Sequence, residues 1–152
     1  MTTVAWDGKQ MAADTLATDY WGLKEQVNDK VLEGRDFLLG CAGEHGQIKR
    51  WWRETAYRLT AEQLIAQGYE PFQKDVNDPS LMLVCSHGTF RHVSGVFCPT
   101  SRPYHAVGSG RDYALMAMAL GKSAAEAVRL TMEFDNGTGG EVRTWELPDE
   151  LL

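Results

Sequence analysis

Thr2-Thr3-Val4-Ala5-Trp6-Asp7-Gly8-Lys9-Gln10-Met11-Ala12-Ala13-Asp14 is the stretch on which the fold turns. Thr3 to Trp6 reads as an apolar strand, Asp7-Gly8 is a strong hairpin signal, and Gln10 to Asp14 returns as a second strand. After a polar loop, Lys30-Val31-Leu32 and Asp36 to Ala42 read as a further strand pair that turns near Glu33-Gly34. Its second member, Phe37-Leu38-Leu39-Gly40-Cys41-Ala42, is apolar on both faces, which suits a strand covered on both sides.

Gly43 and Gly46 lead into a helix whose buried stripe is Ile48, Trp51, Trp52, Thr55 and Leu59. Thr60-Ala61-Glu62-Gln63 has the pattern of a capping box, so the helix is expected to restart or bend there and to end at Gly68. Leu81 to Cys85 and Thr89 to Phe97 read as a hairpin turning at Gly88-Thr89-Phe90-Arg91, and Tyr104 to Val107 as a short strand stopped by Gly108-Ser109-Gly110. Asp112 to Leu120 and Ser123 to about Phe134 read as helices, the second opened by the box Ser123-Ala124-Ala125-Glu126. The methionines of the first of these helices read as core filling. Glu141 to Leu147 reads as a last strand after the loop Asp135 to Gly140. Strands, a helix, strands, two helices and a strand favour an α+β architecture with antiparallel sheets.

A chain of 152 residues is expected to form one domain, spanning 1–152. No apolar run approaches the roughly 20 residues of a membrane helix, and no basic segment followed by an apolar core marks a signal peptide. The formal charge of −6 argues against a nucleic-acid partner. Lys49, Arg50 and Arg53 read as a solvated helix face. Cys41, Cys85 and Cys98 are odd in number and lie among apolar neighbours, as reduced residues of a cytoplasmic protein do. His87 and His92 share no helix face and no Cys-x-x-Cys pair exists, so no metal site is expected.

Chemistry enters through Thr2. Once Met1 is removed, its hydroxyl and its α-amine sit on one residue, a nucleophile and a base together. A free α-amine titrates at about 7.7–8.0, so a nearby cation that discourages protonation leaves much of it available near neutrality. While Met1 remains, the same nitrogen is an amide and cannot serve.

Thr2-Thr3-Val4, Ala12-Ala13-Asp14, Lys30-Val31, Gly40-Cys41-Ala42-Gly43, Gly108-Ser109-Gly110 and Asp135-Asn136-Gly137-Thr138-Gly139-Gly140 follow one another in order. This series resembles proteasome β-subunits and the HslV-type protease, which are N-terminal nucleophile hydrolases, and the compact length resembles the small bacterial proteasome homologues. The resemblance implies a four-layer αββα sandwich and a threonine-type peptidase without cofactor or metal. It makes Thr2 the nucleophile, Lys30 the cation beside it, Asp14 the acid holding Lys30, and the Gly40 N–H the oxyanion donor. Ser109 would bond near the Thr2 amine, and Asp135 and Thr138 would match the Asp-x-x-Ser-Gly-Gly motif, with threonine replacing serine. Implied partners are peptide or unfolded-protein substrates, further copies in stacked rings and an ATPase unfoldase, with no nucleic acid and no membrane.

The residues also admit plainer roles. Thr2 can be an ordinary first-strand residue, Lys30 and Asp14 a surface ion pair, and Gly40 a packing glycine. The chain is shorter than typical members of that family, and Trp51-Trp52 replaces smaller residues. A catalytically silent scaffold that retains Met1, or a small-amide hydrolase on the same nucleophile, would carry the same motifs.

Overall fold

The computed structural model describes residues 2–18, 24–43, 45–69 and 79–148. The first hairpin forms as its sequence directs. Strand β1 (Thr3–Trp6) pairs antiparallel with β2 (Gln10–Ala13), Val4 opposite Ala13. Asp7 closes the turn by accepting from the backbone N–H groups of Lys9 and Gln10, and Gly8 takes a φ of +100° that favours glycine. On its outer edges this pair gains β10 (His105–Gly108) beside β1 and β11 (Arg143–Glu146) beside β2, giving a four-stranded antiparallel sheet.

A second antiparallel sheet runs β5 (Val31–Glu33), β6 (Phe37–Ala42), β7 (Ser80–Cys85), β8 (Gly88–Val93) and β9 (Val96–Pro99) in spatial order. Alternation along the strands divides the core into three layers. Val4, Trp6, Met11, Val31, Leu38, Met82 and Val84 meet between the two sheets. Phe37, Leu39, Cys41, Leu81 and Leu83 point the other way, onto Ile48 and Trp51 of α1 (His45–Glu54) and Leu64 of α2 (Ala61–Gln67). Ala5, Ala12 and Ala106 form the outer face of the first sheet, and their small side chains admit α3 (Arg111–Ala119) and α4 (Ala124–Thr131). Helices, sheet, sheet and helices therefore stack in the expected αββα order, with β6 buried along its whole length.

Several boundaries differ from the sequence reading. The polar loop after Asp14 holds a separate hairpin, β3 (Leu16–Thr18) with β4 (Lys24–Gln26); its strands are three residues long and β4 is exposed, so no burial pattern announced it. Thr89 to Phe97 is two strands, because Ser94 (φ +49°) and Gly95 (φ +86°) turn the chain between β8 and β9. The preceding turn lies at Ser86-His87, ahead of β8, rather than at Gly88 to Arg91. The first helix stops at Glu54, and a 3-10 turn (Ala56–Arg58) precedes α2. At α2 the capping box is complete, with Thr60 Oγ1 accepting from Gln63 N and Gln63 Oε1 from Thr60 N. Ser123 likewise caps α4 through Glu126 N, but its hydroxyl donates to the Glu126 carboxylate, and the helix ends at Thr131 instead of Phe134. Met118 is core while Met116 is 69% exposed, so core filling accounts for only part of the methionine content of α3. Met1 and the tail Asp149 to Leu152 lie outside the described residues.

Candidate functional site

Thr2 precedes β1 and is buried, with Thr3 beside it in full burial. The strand positions both over the turn that joins β10 to α3, since Thr3 lies opposite Gly108. That turn comes close enough only because it is Gly108-Ser109-Gly110. Gly108 has φ +104°, and a β-carbon there would collide with the Thr2 carbonyl; one on Gly110 would collide with Thr3 Oγ1 and Thr131 Cγ2.

Two carboxylates organise the space around Thr2 and Thr3. Asp14, at the end of β2, is buried to 1% exposure and accepts Lys30 Nζ at 2.9 Å and Thr3 N at 3.0 Å on one oxygen. Its other oxygen accepts Gly139 N at 3.0 Å. Lys30, which enters β5, is 1% exposed and also donates to the Leu16 carbonyl. Burial pulls the pKa of Lys30 below the usual lysine range, against the hydrogen bond and charge of Asp14, which push it back up. An ammonium buried this deeply is costly unless paired, and Asp14 supplies the pair.

Asp135, in the loop after α4, serves the other side. Ser109 Oγ donates to Asp135 Oδ2 at 2.7 Å and Thr138 Oγ1 donates to the same oxygen at 2.6 Å, while Gly137 N reaches Oδ1 at 3.3 Å. Partial burial works against the charge of Asp135, but the bonds from Thr138, Ser109 and Gly137 outweigh it and hold its pKa below the usual carboxylate value. With the one proton of Ser109 given to Asp135, its oxygen is left to accept Thr2 N at 3.3 Å. By the same count, Thr3 Oγ1 is the donor in its 2.7 Å bond with Thr138 Oγ1.

The fold thus brings Thr2, Asp14, Lys30, Ser109, Asp135 and Thr138 into one hydrogen-bonded region, although up to 136 positions separate them in sequence. Gly40 sits differently. It lies inside β6, opposite Val31 on one side and Met82 on the other. Cys41 N donates to the Lys30 carbonyl, so strand alternation directs the Gly40 N–H toward β7 and into the ladder. A β-carbon at Gly40 would lie 2.8 Å from Val4 Cγ1, which makes close sheet-to-sheet packing the visible demand for glycine there. Sequence reading overlooked Thr3, whose backbone meets Asp14 and whose hydroxyl meets Thr138, so it joins the two acidic clusters. The Thr-Thr pair was in view, but strand alternation alone gives the second threonine no such task.

The three histidines with described side chains (His87, His92, His105) join no group of three or more metal-ligating side chains among the described residues. Cys41 and Cys85 are buried free thiols, and burial pushes the pKa of both upward. No described helix is long and apolar enough to cross a membrane.

No protein-family model matches the sequence, and no curated protein does either. Solved structures do match. The chain is similar to Thiobacillus denitrificans BPH in complex with epoxomicin, at 21% identity and a TM-score of 0.68 over 96% of this chain and 99% of that one. A second structure of the same BPH gives 22% identity and a TM-score of 0.64 over 97% and 98%. The eukaryotic HslV from Trypanosoma brucei is 18% identical, with a TM-score of 0.60 over 95% and 98%. Nearly complete coverage in both directions, on two sheets between two helical layers, gives this chain the αββα fold of these BPH and HslV structures.

Proposed function

We propose that this protein is a threonine-type peptidase whose nucleophile is the Thr2 hydroxyl, released for use when Met1 is removed. The observation that carries the reading is the bond from Thr2 N to Ser109 Oγ, backed by Asp135 and set beside the buried Lys30–Asp14 pair. Once free, the amine would keep Ser109 as an acceptor and hold its lone pair for the Thr2 hydroxyl. Lys30 would disfavour protonation of the amine, Asp14 would hold Lys30, and Thr138 and Asp135 would hold Ser109.

The reaction would pass through an ester. The Thr2 oxygen attacks the scissile carbonyl while its proton goes to the amine, the amine returns that proton to the leaving nitrogen, and water then cleaves the ester. The negative oxygen needs a backbone donor. The ladder position of Gly40 favours a packing role for it, and the N–H groups where β6 leaves the sheet, at Gly43 (φ +118°), are better candidates.

Peptide or unfolded-protein substrates, stacked rings of this chain, an ATPase unfoldase and a cytoplasmic setting belong to the same proposal. They are supported by likeness to HslV and by the risk an open protease would pose. The test is covalent labelling of the Met1-processed chain by epoxomicin, the compound bound in the Thiobacillus complex. A single adduct on Thr2, lost in Thr2→Ala, is expected. Equal labelling of Thr2→Ala would overturn the assignment, and a natively produced chain still carrying Met1 in mass spectrometry would favour a silent scaffold.

A further inference from the structure

Positive charge gathers at the end of the first sheet away from Thr2. Arg91 on β8, Arg102 in the β9–β10 connection and His105 at the start of β10 line one hollow of about 200 Å3. Pro99, Thr100, Ser101 and Tyr104 complete its wall, and no acidic residue is among them. In a chain with 21 Asp and Glu against 15 Lys and Arg, a pocket with cationic groups and no carboxylate runs against composition. Among the described residues neither Arg91 nor Arg102 forms an ion pair. Asp112 lines the adjoining hollow with Arg102, is highly exposed and lies 3.8 Å from Arg111.

Arg91, Arg102 and His105 share the wall of this hollow. Burial first, then the charges of Arg91, Arg102 and Arg111, lower the pKa of His105 below its usual value. Such a constellation repels itself until an anion enters, and guanidinium groups are well suited to oxyanions. The connection that carries Arg102 is held in shape, because Thr100 N donates to the Thr89 carbonyl and Thr100 Oγ1 donates to the Arg102 carbonyl. His105 pairs with Trp6, three residues along β10 from Gly108, or about 10 Å at the rise of an antiparallel strand. The hollow is therefore separate from the cluster around Thr2.

We infer that Arg91, Arg102 and His105 form a binding site for a small tetrahedral oxyanion of the inorganic phosphate type. A planar carboxylate is satisfied by one guanidinium, whereas two guanidiniums, an imidazole and the hydroxyls of Ser101 and Tyr104 match the acceptors of a tetrahedral ion. A hollow of about 200 Å3 is below the usual size for drug-sized ligands, which fits the free ion better than a nucleotide. Bound there, the ion would tie the β8–β9 edge of one sheet to β10 of the other.

The experiment is a titration of the full chain with sodium phosphate, sulfate or acetate, with chloride holding ionic strength constant. It is followed by thermal unfolding and by the NMR signals of the histidine rings. Phosphate and sulfate are expected to raise the melting temperature in a saturable way, to move the His105 signal while the other histidine signals stay in place, and to do neither in the Arg91→Gln/Arg102→Gln variant. The NMR readout on the unaltered chain stands even if the variant folds poorly. A stationary His105 signal, an effect equalled by acetate, or an effect undiminished in a folded variant would each overturn the inference.

Discussion

At the scale of single residues, Asp135 carries the clearest pH signature. Its pKa lies below the reference value of 3.8 because Thr138, Ser109 and Gly137 bond to the charged form. A carboxylate whose folded pKa is depressed adds stability that is fully present above its unfolded pKa and is lost as pH falls through the folded one. Asp135→Asn should therefore cost stability at neutral pH, and the gap from the parent chain should shrink below pH 3.8. Urea unfolding at several pH values would show this, and a gap independent of pH would contradict it. Gly110 offers a steric prediction. Gly110→Ala drives a β-carbon into Thr3 Oγ1 and Thr131 Cγ2, so labelling of Thr2 should fall together with stability. A variant with parental labelling and melting temperature would show that the turn can move aside.

Among elements, the β9 and α2 connections hold the most local information. Thr60 and Gln63 complete a capping box at α2, and loss of such a cap costs about 0.5–2 kcal/mol. Thr60→Ala should lower stability within that range, while Thr60→Ser should recover most of it, as measured by denaturant midpoint. The box was legible because its partners stand three residues apart and its two reciprocal bonds are local. The β8–β9 turn was not, since Ser94-Gly95 interrupts a run that otherwise reads as one strand. The β3–β4 hairpin was illegible for a different reason: three-residue strands with an exposed partner leave no alternation to read.

For the molecule as a whole, the spacing between the two sheets is the property most open to test. Gly40 of β6 faces Val4 of β1 across the inner core, with room for no side chain. Gly40→Ala should destabilise the chain by about 1–3 kcal/mol through overpacking. Val4→Ala in the same background should return part of that loss, a non-additivity that a double-mutant cycle would read. Additive losses would show that the two positions do not press on each other. The outcome also bears on chemistry, because an alanine keeps its backbone N–H. An oxyanion donor at Gly40 would tolerate the change in a chain that remains folded with its sheets unshifted.

By itself, the sequence determined the continuous apolar run that buries β6 on both faces, the Asp7-Gly8 turn, the helix caps and the identity of the acids and hydroxyls that gather near Thr2. These depend on neighbours within a few residues, where backbone geometry links spacing directly to side-chain direction. Only the tertiary structure decided that Asp14 and Gly139 meet, that Thr3 joins Asp14 to Thr138, that Gly40 lies inside a ladder, and that Arg91 and Arg102 share a hollow. Each of those contacts joins different strands or loops, and their positions are set by the packing of two sheets against each other rather than by any local rule.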